Sequence, residues 1–213
     1  MKTRKVFLNL AVLALTVISA AAVAQAAERT YELGSSPQLT NITFASVTDF
    51  ETVLGSTNQL TGQVATDLTT AQIELAIPVA SLATGIDLRD EHLRSAGWLD
   101  AEKFPMISFT SREAKLTGEG EYLVRGDFTL HGVTRPLEAR VQVRPIAAEV
   151  AQKAGMAAKD WLKITTKFEV NLSDHGVKIP DMAAAKVNDT WQVTFSVFAG
   201  AAQDGLAMQP HNN

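Results

Sequence analysis

The chain reads as an all-β protein, an antiparallel sandwich or barrel of about seven or eight strands. Three observations carry that reading. Apolar and polar residues alternate with period two along much of the chain, the mark of antiparallel sheet with one wet face. Glycine-centred turn signals punctuate the alternation at Gly55, Gly62, Gly85, Gly118-Glu119-Gly120, His131-Gly132 and Asp174-His175-Gly176. No internal repeat or low-complexity linker divides the sequence, so the strands share one core and hide their edges in it.

The first 26 residues stand apart from that pattern. Lys2, Arg4 and Lys5 precede the apolar run 6–22, and Ala24-Gln25-Ala26 is a small-x-small cleavage site, with Ala22-Val23-Ala24 as the alternative. This is a secretory signal peptide of bacterial type and not a membrane anchor, since polar sequence follows without a stop-transfer run. No cysteine follows the run, which argues against a lipid-anchored lipoprotein. The expected location is the periplasm. Roughly 187 residues remain, enough for one domain with a real core. The chain has no Cys, so that core holds by packing and hydrogen bonding alone. The net charge of −4 is spread along the chain without a basic stripe, which argues against nucleic acid as a partner. No second apolar run reaches membrane-spanning length.

Ile42 and Phe44 open the strand series. Ile73, Leu75 and Ile77 oppose Gln72 and Glu74 in the next clear strand. Pro78 is followed by a single helical turn over 79–83. Residues 87–96 form a short helical insert, with Asp87 as N-cap, Asp90 in an acidic capping box and Gly97 as the stop. Leu88, His92 and Ser95 share one helix face, and Arg89 and Leu93 the next. A strand follows over 105–111. Tyr122, Val124, Phe128 and Leu130 lie opposite Arg125, Asp127 and Thr129. Leu137, Ala139, Val141 and Val143 alternate with Glu138, Arg140, Gln142 and Arg144. The Ala-rich stretch 146–159 interrupts the series as a short helix weakened by Gly155. Leu162 to Leu172 then alternates most cleanly, with Trp161, Lys163, Thr165 and Lys167 on the wet side. Trp191, Val193, Phe195 and Val197 form the last strand face, and residues 200–213 read as a fraying tail.

Chemistry concentrates in one place, Arg89 to Pro105, where charges, a histidine and large apolar residues crowd outside any strand. His92 beside Asp90 suits a ligand head group or a metal, or it braces the insert on the barrel. One His and one Asp fall short of a metal ligand set. Asp90 and Asp100 come without a nucleophile elbow, a phosphate loop or zincin spacing, so they read as capping or solvated carboxylates. Arg89 and Arg94 stand as ion-pair partners or as contacts for an anionic head group. His131 and His175 read as turn residues. No catalytic residue and no metal ligand set is expected, and the chain is not read as an enzyme.

An ordered series of motifs carries a resemblance over nearly the whole exported chain. It comprises Ala80-Ser81-Leu82-Ala83-Thr84-Gly85, Arg89-Asp90-Glu91-His92-Leu93-Arg94-Ser95, Trp98 through Pro105 and Ile107-Ser108-Phe109-Thr110-Ser111. Gly126 through Pro136, Asn171 through Val177 and Asn188-Asp189-Thr190-Trp191 complete it. The series resembles the YceI-like, polyisoprenoid-binding family. The resemblance implies a lipocalin-like antiparallel eight-stranded β-barrel over 27–199 with a short helical insert. It further implies export and a long isoprenoid or fatty-acid-like chain in the interior. The opening region, Tyr31 through Thr40, keeps the family's aromatic as Tyr31 but lacks its usual Asp and His-Ser pair.

A barrel of this size either fills its interior with side chains or holds one small ligand. The residues that would meet a lipid are Phe44, Leu75, Ile77, His92, Phe109, Tyr122, Phe128, Phe168, Trp191 and Phe195. The expected partner is therefore a long-chain lipid or isoprenoid with no other cofactor, and a homodimer is compatible. A metal-dependent protein built on His92 and Asp90 is one alternative reading. A ligand-free structural or stress-protective protein is the other.

Overall fold

The computed structural model describes residues 27–202. The signal-peptide reading of 1–26 and most of the expected tail lie outside the described residues. Ten strands form one antiparallel sheet: β1 (Arg29–Leu33), β2 (Asn41–Val47), β3 (Thr52–Thr57), β4 (Thr61–Thr66), β5 (Ala71–Pro78), β6 (Met106–Gly118), β7 (Glu121–Leu130), β8 (Val133–Ile146), β9 (Trp161–Asn171) and β10 (Thr190–Ala201). The ten amount to an eight-stranded barrel. β1 and β2 both pair with β10 and act as one long strand broken at 34–40; β3 and β4 act as its partner, broken at 58–60. Closure comes from Tyr31↔Ala201, Glu32↔Gly200 and Leu33↔Ala199. The expected eight-stranded antiparallel barrel is thus the observed fold; the β1–β10 seam closes it, and β3 keeps only the Ser56↔Ala83 bridge on its outer side.

The break in the long pair depends on glycine. Gly34 has φ +75, and a Cβ there would lie 1.7 Å from the carbonyl oxygen of Leu60. The two backbones touch where both strands jog. Gly55 corrects the sequence reading, since it is not a turn but the middle of β3. A Cβ on it would fall 2.0 Å from the Phe44 ring, so the missing side chain makes room for that ring inside the barrel.

Gly62, also read as a turn, lies inside β4. The other strands named from the sequence follow their patterns, with two differences. β6 runs to Gly118, well past the expected end at Ser111, because a bulge between Ser111 and Glu113 shifts the alternation by one residue. β10 continues to Ala201, so the first two residues of the expected tail are sheet. The turn between β7 and β8 is His131-Gly132 with both φ positive, the geometry that a two-residue hairpin favours.

The helical segments cover the barrel from outside. α1 (Asp87–Arg94) follows a helical turn at Val79–Ser81, and α2 (Ala148–Lys153) joins β8 to β9. The α1 cap differs from expectation. Ile86 occupies the cap position without a side-chain bond, and Asp90 reaches back to Thr84, accepting from its N at 2.7 Å and its hydroxyl at 2.6 Å. Trp161 is a second correction, since it is 4% exposed and not on a wet face. It donates from Nε1 to the carbonyl of Ala157 at 3.1 Å, with the Lys159 ammonium over its ring, so the α2 connection roofs that part of the outer wall.

Candidate functional site

The inward residues of the strands enclose two apolar chambers. The upper chamber lies toward the turns that join β4 to β5 and β6 to β7. It holds about 110 Å³ of open space. Leu137, Ala139, Val143 and Ile164 face it and stay only half-buried, because open space and not protein stands before them. This interior is not filled to the density of an ordinary core.

The polar groups in its wall are spoken for. Tyr122 donates its hydroxyl to the Leu68 carbonyl at 2.6 Å, Thr66 to the Thr70 carbonyl at 2.6 Å and Thr166 to the Arg140 carbonyl at 2.8 Å. Burial and then the charge of Asp67 push the Tyr122 phenol upward, so it stays a neutral donor. Asp67 is itself held far below the usual carboxylate range, first by the Thr70 backbone N–H and then by the Thr69 hydroxyl and N–H. These bonds pin the β4–β5 turn. At its tip Leu68 has φ 68, is 41% exposed and still lines the chamber, which makes it part of the rim. Leu116 stands exposed at the same end.

The lower chamber, about 80 Å³, lies under the insert. Leu82 and Leu99, on either side of the insert, and Leu172 beyond β9 close it, and all three are buried. Phe44 stacks on Trp191 in its wall at 5.2 Å between centroids. Trp191 is anchored by donating Nε1 to the Asn188 carbonyl at 2.8 Å.

Four side chains line both chambers and separate them: Ile77, Phe128, Phe168 and Phe195. Phe168 meets Phe128 edge-on at 6.1 Å and lies tilted against Phe195 at 5.9 Å. Phe128 is braced from the lower end by buried His175, edge to face at 5.4 Å. His175 is held in turn by a bond from Nδ1 to the Val133 carbonyl at 2.8 Å, which requires its proton on Nδ1.

Nine of the ten lipid-contact candidates fall on this interior. Leu75, Phe109 and Tyr122 line the upper chamber, Phe44 and Trp191 the lower, and Ile77, Phe128, Phe168 and Phe195 both. His92 does not. It is exposed on α1 and lines an outer cleft with Glu51, Arg89 and Trp98. The helix turns Leu93 and Asp90 inward and leaves Leu88 and His92 outside. Asp90 does not line that cleft; it is buried and turned to Thr84. Among the described residues, no group of three or more His, Cys, Asp or Glu is placed to hold a metal. Arg89 pairs with Glu51 at 2.8 Å, tying α1 to the start of β3, and Arg94 donates to the Leu82 carbonyl at 2.9 Å. Leu33, Leu60, Val64 and Leu68 line the upper chamber without having been singled out, because the broken first pair of strands hides their alternation.

The protein-family comparison matches the YceI-like domain over residues 34–199. A UPF0312 protein of Photorhabdus laumondii is 47% identical over 66 residues, covering 31% of this chain and 34% of that protein. The chain spans about half or less of the length of the first curated relatives that it matches. The crystal structure of Burkholderia cenocepacia BcnA is similar with TM-score 0.64 and 19% identity, covering 76% of this chain and 98% of that one. A polyisoprenoid binding domain from Saccharophagus degradans, described as implicated in plant cell wall breakdown, is similar with TM-score 0.59 and 19% identity over 81% of this chain and 98% of that one. At such identity these two likenesses speak to the fold. No described helix is long and apolar enough to cross a membrane.

Proposed function

The chain belongs to the YceI-like domain family, and from that premise we propose that it is an exported, periplasmic lipid-binding protein that sequesters or carries a long isoprenoid or acyl chain inside its barrel. The observation that carries the reading is the partly empty, wholly apolar upper chamber whose hydroxyls are already bonded to the wall. Such a space offers area and no polar handle. Burial of apolar surface, at about 25 cal/mol per Å², is the term it can supply. The name of the Saccharophagus degradans neighbour supports the same ligand class. The signal-peptide pattern in the sequence supports export.

Native mass spectrometry of gently purified protein tests the proposal. The expected result is a copurified hydrophobic ligand, or uptake of a long prenyl alcohol on addition. Ala139→Trp, which places an indole in the upper chamber, should leave the protein folded and abolish uptake. A protein that takes up no lipid in either form would overturn the reading.

A further inference from the structure

We propose that Phe128, Phe168 and Phe195 form a gate that divides bound chains by length. The inference rests on the lipid-binding reading and deepens it. Short chains fill the upper chamber and stop at the rings. Long chains turn the rings aside and continue into the lower chamber.

The geometry fixes both the direction and the threshold. The lower chamber is capped by Leu82, Leu99 and Leu172, all at most 6% exposed, whereas the rim at Leu68 is 41% exposed. A chain therefore enters from the upper end and meets the rings last. Along β5 the upper chamber runs from Ala71 to Ile77. At the usual strand rise and barrel tilt that span is about 15 Å, so an extended dodecyl chain is long enough to reach the rings; its bulk exceeds the 110 Å³ open at rest, and the half-buried wall at Leu137, Ala139, Val143 and Ile164 gives way to admit it.

The three rings are not equally free. Phe128 is backed by His175, whose Nδ1 is bonded to a backbone carbonyl, so its lower face is fixed. Phe168 and Phe195 lean on each other at 31° between planes. Phe168 is also only partly buried, so it has room to turn. Phe168 is the moving leaf, and Phe128 is the post it closes against.

Straight-chain alcohols from octanol to octadecanol, delivered from cyclodextrin and measured by equilibrium dialysis, test the gate. Affinity should rise about fourfold for each added methylene up to dodecanol, flatten while the next carbons only displace rings, and then rise again. Phe168→Leu, which keeps an apolar side chain of similar reach, should remove the flat region. A second readout needs no change at the gate. Alcohols brominated at the far end should quench Trp191 in the lower chamber only when longer than dodecanol, and Trp191→Phe should remove that quenching. A smooth rise with length in both the unaltered protein and Phe168→Leu would overturn the gate and leave the lipid-binding reading standing. A plateau that never resumes, without quenching, would overturn passage into the lower chamber. No binding of any alcohol would overturn the lipid-binding reading and the gate together.

Discussion

Thr84 donates twice to the carboxylate of Asp90, from its backbone N at 2.7 Å and from its hydroxyl at 2.6 Å, across the turn that begins α1. Burial opposes the charge on Asp90, but the Thr84 bonds and the charges of Arg94 and Arg89 outweigh it and hold the carboxyl below its usual range. A group whose folded value is depressed adds stability above its unfolded value, near 3.9, and loses it as pH falls through the folded value. Asp90→Ala should therefore destabilise the protein by about 1–3 kcal/mol at neutral pH. The difference from the unaltered protein should shrink below about pH 4. Urea melts at a series of pH values check both the size and the sign.

Gly34→Ala should cost about 1–3 kcal/mol through strain at positive φ, and more if the Leu60 carbonyl cannot retreat from the new Cβ. The damage should localise to the break between β1 and β2. Hydrogen exchange should show faster opening at β1 than at β9.

Tyr122→Phe removes the donor to the Leu68 carbonyl at the rim. A loss of about 1 kcal/mol in stability is expected. Affinity for a long prenyl alcohol should be unchanged, because the hydroxyl serves the wall and not the ligand. Paired melts and titrations separate the two effects.

Trp161→Ala should cost about 3–5 kcal/mol, since a buried indole under the α2 connection is lost. Binding per folded molecule should persist, because Trp161 is outside the chambers. Thermal unfolding with and without lipid checks this pair of outcomes.

Much of the fold was legible in the residues. Leu162 to Val170 alternate without interruption within β9, and Leu172, read as part of the same strand, falls just beyond it. The places that misled have physical causes. The bulge after Ser111 breaks period two, so β6 looked short. Gly55 looked like a turn because a strand glycine is usually unfavourable, and its reason, the Phe44 ring across the sheet, is a contact between different strands. Trp161 occupies an outward position in the alternation, and only the tertiary cover of α2 buries it. Nine of the candidates converge on the interior because inward aromatics in a closed barrel meet whatever their order in the chain. His92 lies on an outer cleft instead, because helical spacing alone does not say which face meets the wall.

The seam pairing Tyr31 with Ala201 also bears on how the molecule is made. It joins β1 to β10, the first and last of the described strands, so the ring cannot close until β10 is present. Until then β1 and β9 carry unpaired backbone groups. Long-range pairing of this kind slows folding and prolongs exposure of apolar strands. For the export proposed above, such a delay keeps the structure that would block passage across a membrane from forming before β10 arrives.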